Sequence, residues 1–305
     1  MSVSVCVVVK DRRALMLRCL DAVLAQRPAP DEVVVVDNGS SDGTLEALQE
    51  QAGRDPHLVV VSDRGTLGAA RNTAVRTARS ELVAFTDSDC RPRAGWLAAA
   101  TAAMTDGIGV VQGRTVPETT PTVRWSATQD IGAPTGLFEA CNVVYRREAL
   151  LAAGGFAEAV GFFGEDTAAG WAVQRAGWRD AWAPQAVVEH VVTTPGFRWH
   201  LRRAGGYANW PALLAAFPEK RDILWHRLFL RRRSAEADAA LLGTLAAALL
   251  RSPVPLVAAA PFAWRHRPHG RSRDAVLDAG SAAVFDLAIS IALLRGSVAA
   301  RTPVL

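Results

Sequence analysis

Residues 33–44 read VVVVDNGSSDGT. Four consecutive valines are typical of a strand that is covered on both faces, as the strands of a parallel sheet are. The strand ends abruptly at Asp37, and Asn38 and Gly39 open a turn. Ser41 or Asp42 can then cap a helix over 44–52. This stretch therefore predicts one strand-turn-helix unit with a carboxylate at the strand's end.

The same alternation continues on both sides of this unit. We predict strands over 3–9, 33–36, 58–61 and 82–86, and helices over 12–25, 44–52 and 68–77. Strands that alternate with helices at this spacing favour right-handed crossovers and a parallel sheet. Ligands of such sheets bind beyond the carboxyl ends of the strands, where Asp37, Asp87 and Asp89 all fall.

The pattern weakens after residue 114. Three prolines interrupt 114–144, which we interpret as loops with a short strand around 139–145. Helices over 146–153 and 165–176 and a last strand over 186–190 complete the prediction. Beyond 195 the composition shifts to Arg, Trp, Ala and Leu. We therefore predict an α/β catalytic domain over 1–194 and a basic, apolar helical region over 195–305.

Composition limits the location and the redox state. The chain has 305 residues, half of them apolar, and four cysteines, none at CxxC spacing and none in a His/Cys cluster that would suggest zinc. Free thiols fit a reducing cytosol. The first residues lack the basic-then-apolar layout of a signal peptide. We expect a cytoplasmic protein.

The net charge of +4 is unevenly distributed. Residues 195–273 carry 14 Lys and Arg against 4 Asp and Glu, a net charge of +10. Tryptophans lie among these arginines, and each apolar run that follows is shorter than the ~20 residues of a spanning helix. Peripheral attachment to an anionic inner membrane surface and an ordinary packed helical subdomain explain the region equally well. No nucleic-acid-binding motif is present, so nucleic acid is not an expected partner.

The sequence Asp87-Ser88-Asp89 directly follows a predicted strand. Two carboxylates one residue apart at a strand end can converge on one hard cation, and Mg²⁺ and Mn²⁺ prefer oxygen ligands. Such a metal would bridge a diphosphate. The alternative is an ordinary turn, because Asp and Ser are common in turns.

Four further sites each allow a structural and a functional interpretation. Asp37 could accept from a base or a ribose, or belong to a simple turn. Arg71, near the start of a helix, could pair with a phosphate or be an exposed surface group. Glu165 and Asp166 could cap a helix, or supply the general base that a sugar hydroxyl needs. His190 ends a strand, where a histidine is more often structural.

Taken together, the order of these segments resembles glycosyltransferase family 2, the inverting nucleotide-sugar-dependent enzymes of GT-A fold. The resemblance covers about residues 3–192. The matching segments are VCVVVKDRRALMLRCLDAVLAQ (5–26), VVVVDNGSSDGT (33–44), GAARNTAVRTARSELVAFTDSDC (68–90), NVVYRREALLAAGGF (142–156), FFGEDTAAGWAVQRAGWR (162–179) and PQAVVEH (184–190).

This resemblance implies a GT-A, Rossmann-like, mostly parallel sheet flanked by helices. It also implies a donor site for a UDP-, GDP- or dTDP-sugar and a divalent metal, Mn²⁺ or Mg²⁺. The implied donor-binding residues are Val9, Asp11, Asp37, Arg71, Asp87 and Ser88. The implied metal site is the DxD pair Asp87 and Asp89, with Asp89 as the more direct ligand and His190 completing it.

The resemblance also implies an acceptor site and a mechanism. Asp166 matches the catalytic base, with Glu165 and Trp171 on the acceptor side. The base deprotonates a hydroxyl of a saccharide or lipid-linked acceptor, which displaces the nucleotide in one inverting step. The chain departs from the family at Val8-Val9, where a Pro-Thr pair is usual, and at Ala168-Ala169, where Asp and Leu are frequent. The QxxRW motif of processive synthases is absent, so repeated polymerisation is not expected.

Two alternatives remain. A nucleotidyltransferase that makes nucleotide-sugars would normally carry a Gly-rich basic loop after the first strand, and VVVKDRRAL (7–15) lacks those glycines. A non-enzymatic sugar- or nucleotide-binding scaffold would have no need of Asp87, Asp89 and Asp166. Neither GxGxxG nor GxxxxGK[ST] occurs, which disfavours dehydrogenases and kinases.

Overall fold

The computed structural model describes residues 1–158, 163–268, 270 and 272–305. These residues form two compact units. The N-terminal unit comprises 1–122 and 127–193, and the C-terminal unit comprises 123–126 and 194–305. The family-like segment at 162–179 begins at Phe162, which lies outside the described residues.

An eight-stranded sheet forms the centre of the N-terminal unit, in the order β3-β2-β1-β4-β7-β6-β8-β5. Its strands are β1 (Val3–Val9), β2 (Glu32–Asp37), β3 (Leu58–Ser62), β4 (Leu82–Thr86), β5 (Cys90–Pro92), β6 (Ile108–Pro117), β7 (Asn142–Arg146) and β8 (Arg179–His190).

The predicted α/β fold is confirmed, but the sheet is mixed. Strands β1 to β4 pair in parallel, as their valine-rich sequences and crossover helices predict. Strand β7 lies antiparallel between β4 and β6, because a loop rather than a crossover helix leads into it. Strand β8 then runs parallel to β6, and β5 antiparallel to β8.

Helices cover the sheet of this unit. They are α1 (Arg13–Leu24), α2 (Thr44–Ala52), α3 (Leu67–Thr77), α4 (Trp96–Ala102), α5 (Arg147–Ala152) and α6 (Glu165–Arg175). Helix α1 shows how they pack: its residues Met16, Cys19, Leu20 and Val23 are buried at the three- and four-residue spacing of one helix face. These apolar faces bury the sheet and leave the carboxyl ends of β1, β2 and β4 at one edge.

Three elements were not predicted from the sequence, and a fourth was predicted too short. No element was predicted at β5, at α4 or over 108–113 of β6, residues 114–117 of β6 were predicted as loop, and only the last five residues of β8 were predicted as strand. Two glycines obscure β6. A Cβ at Gly109 would lie 2.6 Å from Trp178 Cβ, and one at Gly113 would lie 2.4 Å from Asn142 Oδ1. Both glycines are therefore required by close packing and do not break the strand.

The C-terminal unit is helical, as predicted. Its α-helices are α7 (Phe197–Ala204), α8 (Trp210–Ala216), α9 (Arg232–Leu250), α10 (Ala260–Arg265) and α11 (Arg273–Ala300), with 3₁₀ turns over 205–209, 218–223 and 254–259. Trp125, from the short segment 123–126, packs its ring against Phe197, His200 and Phe285 of this unit.

Helix α11 corrects the expectation that every apolar run is too short to span a bilayer. The apolar run at 281–294 is only the middle of this 28-residue helix, because Asp274 and Asp278 lie in its first turns and do not end it. Within the described residues, α11 is the one helix long and apolar enough to cross a membrane, by length and composition. In its most apolar 18-residue window the mean hydropathy is 1.8, and 28% of that window is buried.

Candidate active site

Asp37 lies at the carboxyl end of β2 and is 1% exposed. Its Oδ1 accepts hydrogen bonds from the backbone N–H groups of Gly39 (3.1 Å) and Ser40 (3.0 Å). Its Oδ2 is buried and has no hydrogen-bond partner within the described residues. A buried carboxylate oxygen without a partner is costly, so this atom is suited to accept from a ligand's N–H or O–H group.

The end of β1 is tied to the loop that follows Asp37. Asp11 accepts from the backbone N–H (2.7 Å) and the hydroxyl (3.0 Å) of Ser41, and its own N–H donates to Ser40 Oγ (3.0 Å). Val9 is buried in the core, and its carbonyl accepts from Asn38 N–H. Asp11 thus braces the loop around Asp37, and the Val9 side chain lies away from this edge.

Asp89 and His190 come together because β5 and β8 pair antiparallel, with Cys90 opposite His190. His190 Nε2 lies 3.7 Å from Asp89 Oδ1. His190 Nδ1 lies 2.8 Å from the carbonyl oxygen of Val191. A carbonyl only accepts, so Nδ1 carries the hydrogen and Nε2 is directed at Asp89, which is the usual orientation of a metal-ligating histidine.

The donor set around Asp89 fits a divalent cation. Ligand atoms of Asp89, Cys90 and His190 all lie within 4.8 Å of one another. Burial raises the pKa of the Cys90 thiol well above its ordinary value, so this group stays protonated and is a poor ligand. A carboxylate oxygen and an imidazole nitrogen remain, which suit Mn²⁺ or Mg²⁺ with phosphate or water completing the shell. Ser88, between the two aspartates, is buried.

Arg71 joins the two sides of the site. It is 5% exposed, and its guanidinium donates to Glu165 and lies 3.5 Å from Asp87 Oδ1. It also lies 5.7 Å above the ring of Phe156. Arg71 therefore links α3, the DxD segment and the start of α6, and both of its protein partners are carboxylates.

Asp166 is the second residue of α6 and lies beside this ion pair. Its Oδ1 accepts from Thr167 N–H (2.8 Å) and its Oδ2 from Ala140 N–H (3.1 Å). Burial raises the pKa of the Asp166 carboxyl from 3.8 to about 7, the charge of Glu165 adds to this rise, and Arg71 opposes it. A base that titrates near 7 is matched to general base catalysis at neutral pH.

Trp171 is 1% exposed, and its indole N–H donates to the carbonyl of Gly136 at 2.8 Å. In this arrangement it fastens the 136 loop to α6 and presents no ring face to solvent. The sequence analysis did not single out Arg12 or Thr128. Arg12 pairs with Asp89, and Thr128 Oγ1 lies 3.5 Å from His190 Nδ1. No spacing pattern indicates either residue, because both contacts join distant segments.

Comparison with known proteins agrees with this geometry. The family model of glycosyl transferase family 2 matches residues 4–157, which is about half of the chain. The chain therefore belongs to glycosyl transferase family 2. It is 36% identical over 99 residues to the glycosyltransferase AglE of Haloferax volcanii, covering 31% of this chain and 33% of AglE. It is 33% identical over 94 residues to the poly(ribitol-phosphate) β-glucosyltransferase of Bacillus spizizenii, covering 29% and 15% of the two chains. The chain thus spans a third or less of these curated relatives.

Solved structures confirm the GT-A-like fold. The mannosyltransferase PcManGT of Pyrobaculum calidifontis, in complex with GDP-Man and Mn²⁺, matches 98% of this chain and 86% of its own length, with a TM-score of 0.59 and 24% identity. TarS 1–349 of S. aureus, in complex with UDP-GlcNAc, matches 68% of this chain and 67% of its own length, with a TM-score of 0.53 and 20% identity.

Arg71→Gln should destabilise the protein by about 3–5 kcal/mol, because it leaves the Glu165 carboxylate buried without its charge partner. The matched control is Arg76→Gln on the exposed side of the same helix, where the change should stay within about 0.5 kcal/mol. Urea unfolding measures both. Equal stability losses in the two variants would show that the buried pair is not what holds this site together.

Proposed function

We propose that this protein is a metal-dependent, inverting glycosyltransferase. It would move a sugar from a nucleotide-diphosphate donor to a hydroxyl of a saccharide or lipid-linked acceptor. One observation carries the proposal for this family 2 chain: three features lie on connected segments at one edge of the sheet. They are the buried Asp37, with one carboxylate oxygen unpartnered among the described residues, the Asp89–His190 pair, and the Asp166 carboxyl group, whose pKa is about 7.

The donor's nucleotide binds against Asp37, whose free Oδ2 accepts a hydrogen bond from the base or the ribose. Asp89 and His190, with Asp87 nearby, would hold the divalent cation. When bound, that cation supplies electrostatic stabilisation of the charge on the departing diphosphate. The two solved neighbours are in complex with different nucleotide sugars, GDP-Man in PcManGT and UDP-GlcNAc in TarS 1–349. The donor here is accordingly proposed only as a UDP-, GDP- or dTDP-sugar.

Asp166 is the proposed general base. Its carboxylate takes the proton from the acceptor hydroxyl as that oxygen forms a bond to the anomeric carbon. The bond from this carbon to the donor's phosphate oxygen breaks, and the electron pair leaves with the nucleoside diphosphate. Attack opposite to the leaving group inverts the anomeric configuration. Glu165 is neutralised by Arg71, so of the two adjacent carboxylates Asp166 is the one suited to accept the proton.

The two rival functions have less support. A nucleotidyltransferase needs a loop after β1 that can wrap a triphosphate, whereas Asp11 ties this loop to Ser40 and Ser41. A sugar-binding scaffold would not need a carboxyl group whose pKa is raised to about 7 at the head of α6. The proposed glycosyltransferase is compatible with the tied loop and uses the carboxyl group with the raised pKa as its general base.

The C-terminal unit supports a second part of the proposal, attachment to a lipid bilayer. Most exposed large apolar side chains among the described residues lie in this unit. The most exposed of them are Leu242, Leu249, Leu250, Val254, Val257, Trp264 and Val298. From 239 to 264 the only charged residue is Arg251, so the exposed side chains of this segment are almost all uncharged and many of them are large and apolar. An apolar surface of this kind indicates an interaction site.

A bilayer is the occupant that the flanking charges favour. Arg267 stacks on the exposed ring of Trp264, 3.9 Å from its centroid, and an Arg–Trp pair at the end of an apolar surface suits the headgroup region. The basic cluster at 231–233 is partly neutralised within the unit, since Arg232 pairs with Glu236 and Arg233 with Asp286. The apolar surface is therefore the main proposed membrane contact, with the cytoplasmic face of the cell membrane as the proposed location.

Catalysis by Asp166 predicts a pH dependence. The base works when deprotonated, so kcat/KM should rise with pH through about 7 and level off above it. Asp166→Asn should lower kcat by about 10²–10⁴-fold and remove this rise, while donor affinity stays unchanged. Asp180→Asn, an exposed change on β8, serves as the control. Loss of donor binding with turnover retained at saturating donor would instead make Asp166 a donor ligand.

The apolar surface predicts a vesicle-binding defect. Leu249→Asp combined with Val257→Asp should weaken sedimentation with phosphatidylglycerol vesicles by about tenfold or more, because two side chains lose their burial in lipid. Replacing Arg231, Arg232 and Arg233 with Gln should weaken it less.

If the Arg variant alone abolished binding, the contact would be electrostatic. No sedimentation of the unchanged protein with any vesicle would leave an ordinary helical subdomain.

A further inference from the structure

Arg12 forms an ion pair that no sequence motif indicates. Its guanidinium donates to Asp89 Oδ2, although the two residues are 77 positions apart in the chain. The Arg12 side chain is 46% exposed, whereas that of Asp89 is 11% exposed. One partner of this pair is therefore largely in solvent, and the other is the central carboxylate of the proposed metal site.

Hydrogen bonds fix the backbone around Arg12, whereas its long side chain is held only at its end, by Asp89. The preceding residue, Asp11, is fixed by three hydrogen bonds to Ser40 and Ser41. The carbonyl of Arg12 accepts from Met16 N–H at 2.8 Å, in the first turn of α1. Among the described residues, Asp89 is the one hydrogen-bond partner of the guanidinium. The long side chain can thus pivot at the sheet edge without any change in the loop.

Both oxygens of Asp89 face a nitrogen group of the protein. Oδ2 accepts from Arg12, and Oδ1 lies 3.7 Å from His190 Nε2. A guanidinium is always charged and has no lone pair to offer, so it cannot become a ligand beside a metal ion. A cation that binds Asp89 Oδ1 and His190 would place a second positive charge beside the guanidinium on the same carboxylate, so the cation and Arg12 compete for the negative charge of Asp89.

Arg12 differs in this respect from the other arginine at the site. Arg71 is buried and held between Asp87 and Glu165, so its movement would leave the Glu165 carboxylate buried without its charge partner. Among the described residues Arg12 forms an ion pair with one carboxylate, Asp89, whose charge a metal ion would neutralise instead. Once displaced, a half-exposed guanidinium binds the anion nearest to it, and guanidinium pairs well with phosphate oxygens.

We propose that Arg12 is an internal counter-ion of Asp89 that the divalent cation displaces, and that the displaced Arg12 then binds the donor's diphosphate. The inference rests on the proposed metal site. It assigns the contact with the donor's phosphates to Arg12, whose side chain moves, and makes Arg71 a positioning residue that stays in place. Because Arg12 opposes the cation alone but assists the cation and diphosphate together, metal and donor should each strengthen the binding of the other.

The test is calorimetric titration of Arg12→Gln, with Arg13→Gln as the matched control that removes the same charge one residue further on. The first titration uses Mn²⁺ alone. Arg12→Gln should bind Mn²⁺ about fivefold more tightly than the unchanged protein, the scale of a partly exposed ion pair.

The second titration uses GDP and UDP at saturating Mn²⁺. Here Arg12→Gln should bind the nucleotide that the protein accepts about tenfold more weakly, because a charge-assisted contact is lost. Arg13→Gln should match the unchanged protein in both.

Mn²⁺ affinity that is unchanged or weaker in Arg12→Gln overturns the counter-ion role, and unchanged nucleotide affinity overturns the phosphate contact. An Asp89→Asn titration separates these results from failure of the metal site. If the unchanged protein binds Mn²⁺ and Asp89→Asn does not, the metal site stands, and only the Arg12 inference falls. If Mn²⁺ binds equally well to both, the metal site itself is wrong, and the Arg12 inference falls with it.

Discussion

The site depends on the buried ion pair between Arg71 and Glu165. Six carboxylates lie near this edge of the sheet, namely those of Asp11, Asp37, Asp87, Asp89, Glu165 and Asp166, and negative charges placed close together are costly unless cations or hydrogen bonds compensate them. Arg71 neutralises Glu165 and contacts Asp87, which holds α6 against the DxD segment. Asp166 is left beside this pair with two backbone donors and a pKa of about 7. Burial is the main cause of the raised pKa of the proposed base, and the two charges of the ion pair act on that pKa in opposite directions.

The remaining carboxylates are divided by their partners. Asp37 uses one oxygen for its own loop and leaves the other without a partner in the described structure. Asp89 meets Arg12 and His190. The proposed function accordingly assigns them separate tasks: nucleotide recognition to Asp37, cation binding to Asp89 and proton transfer to Asp166. A divalent cation bound at this edge would offset part of the negative charge. The edge could then bind an anionic donor although it contains several carboxylates.

Local sequence predicted the first half of the fold well. The valine runs at β1 and β2 and the turn residues before α2 are short-range signals, and they gave strand and helix limits within a residue or two of the structure. The predicted cap of α2 was wrong, because the N-cap is Gly43 rather than Ser41 or Asp42. Strand β6 shows where local signals fail. Its two glycines look like strand breakers in the sequence, and only their close packing against Trp178 and Asn142, which are distant in the chain, explains why they are there. The Arg12–Asp89 contact could not be predicted for a similar reason. It depends on β1 lying beside β4, and the local sequence of neither strand indicates that pairing. The exposure of the apolar surface in the C-terminal unit likewise follows from packing.

The most direct measurement is hydrolysis and transfer from a panel of nucleotide sugars, with and without Mn²⁺, in the unchanged protein and in Asp89→Asn. The account predicts that the unchanged protein releases nucleoside diphosphate from one donor type only when Mn²⁺ is present, and that Asp89→Asn releases none. Release that proceeds at the same rate without a divalent cation, or that survives intact in Asp89→Asn, would contradict it.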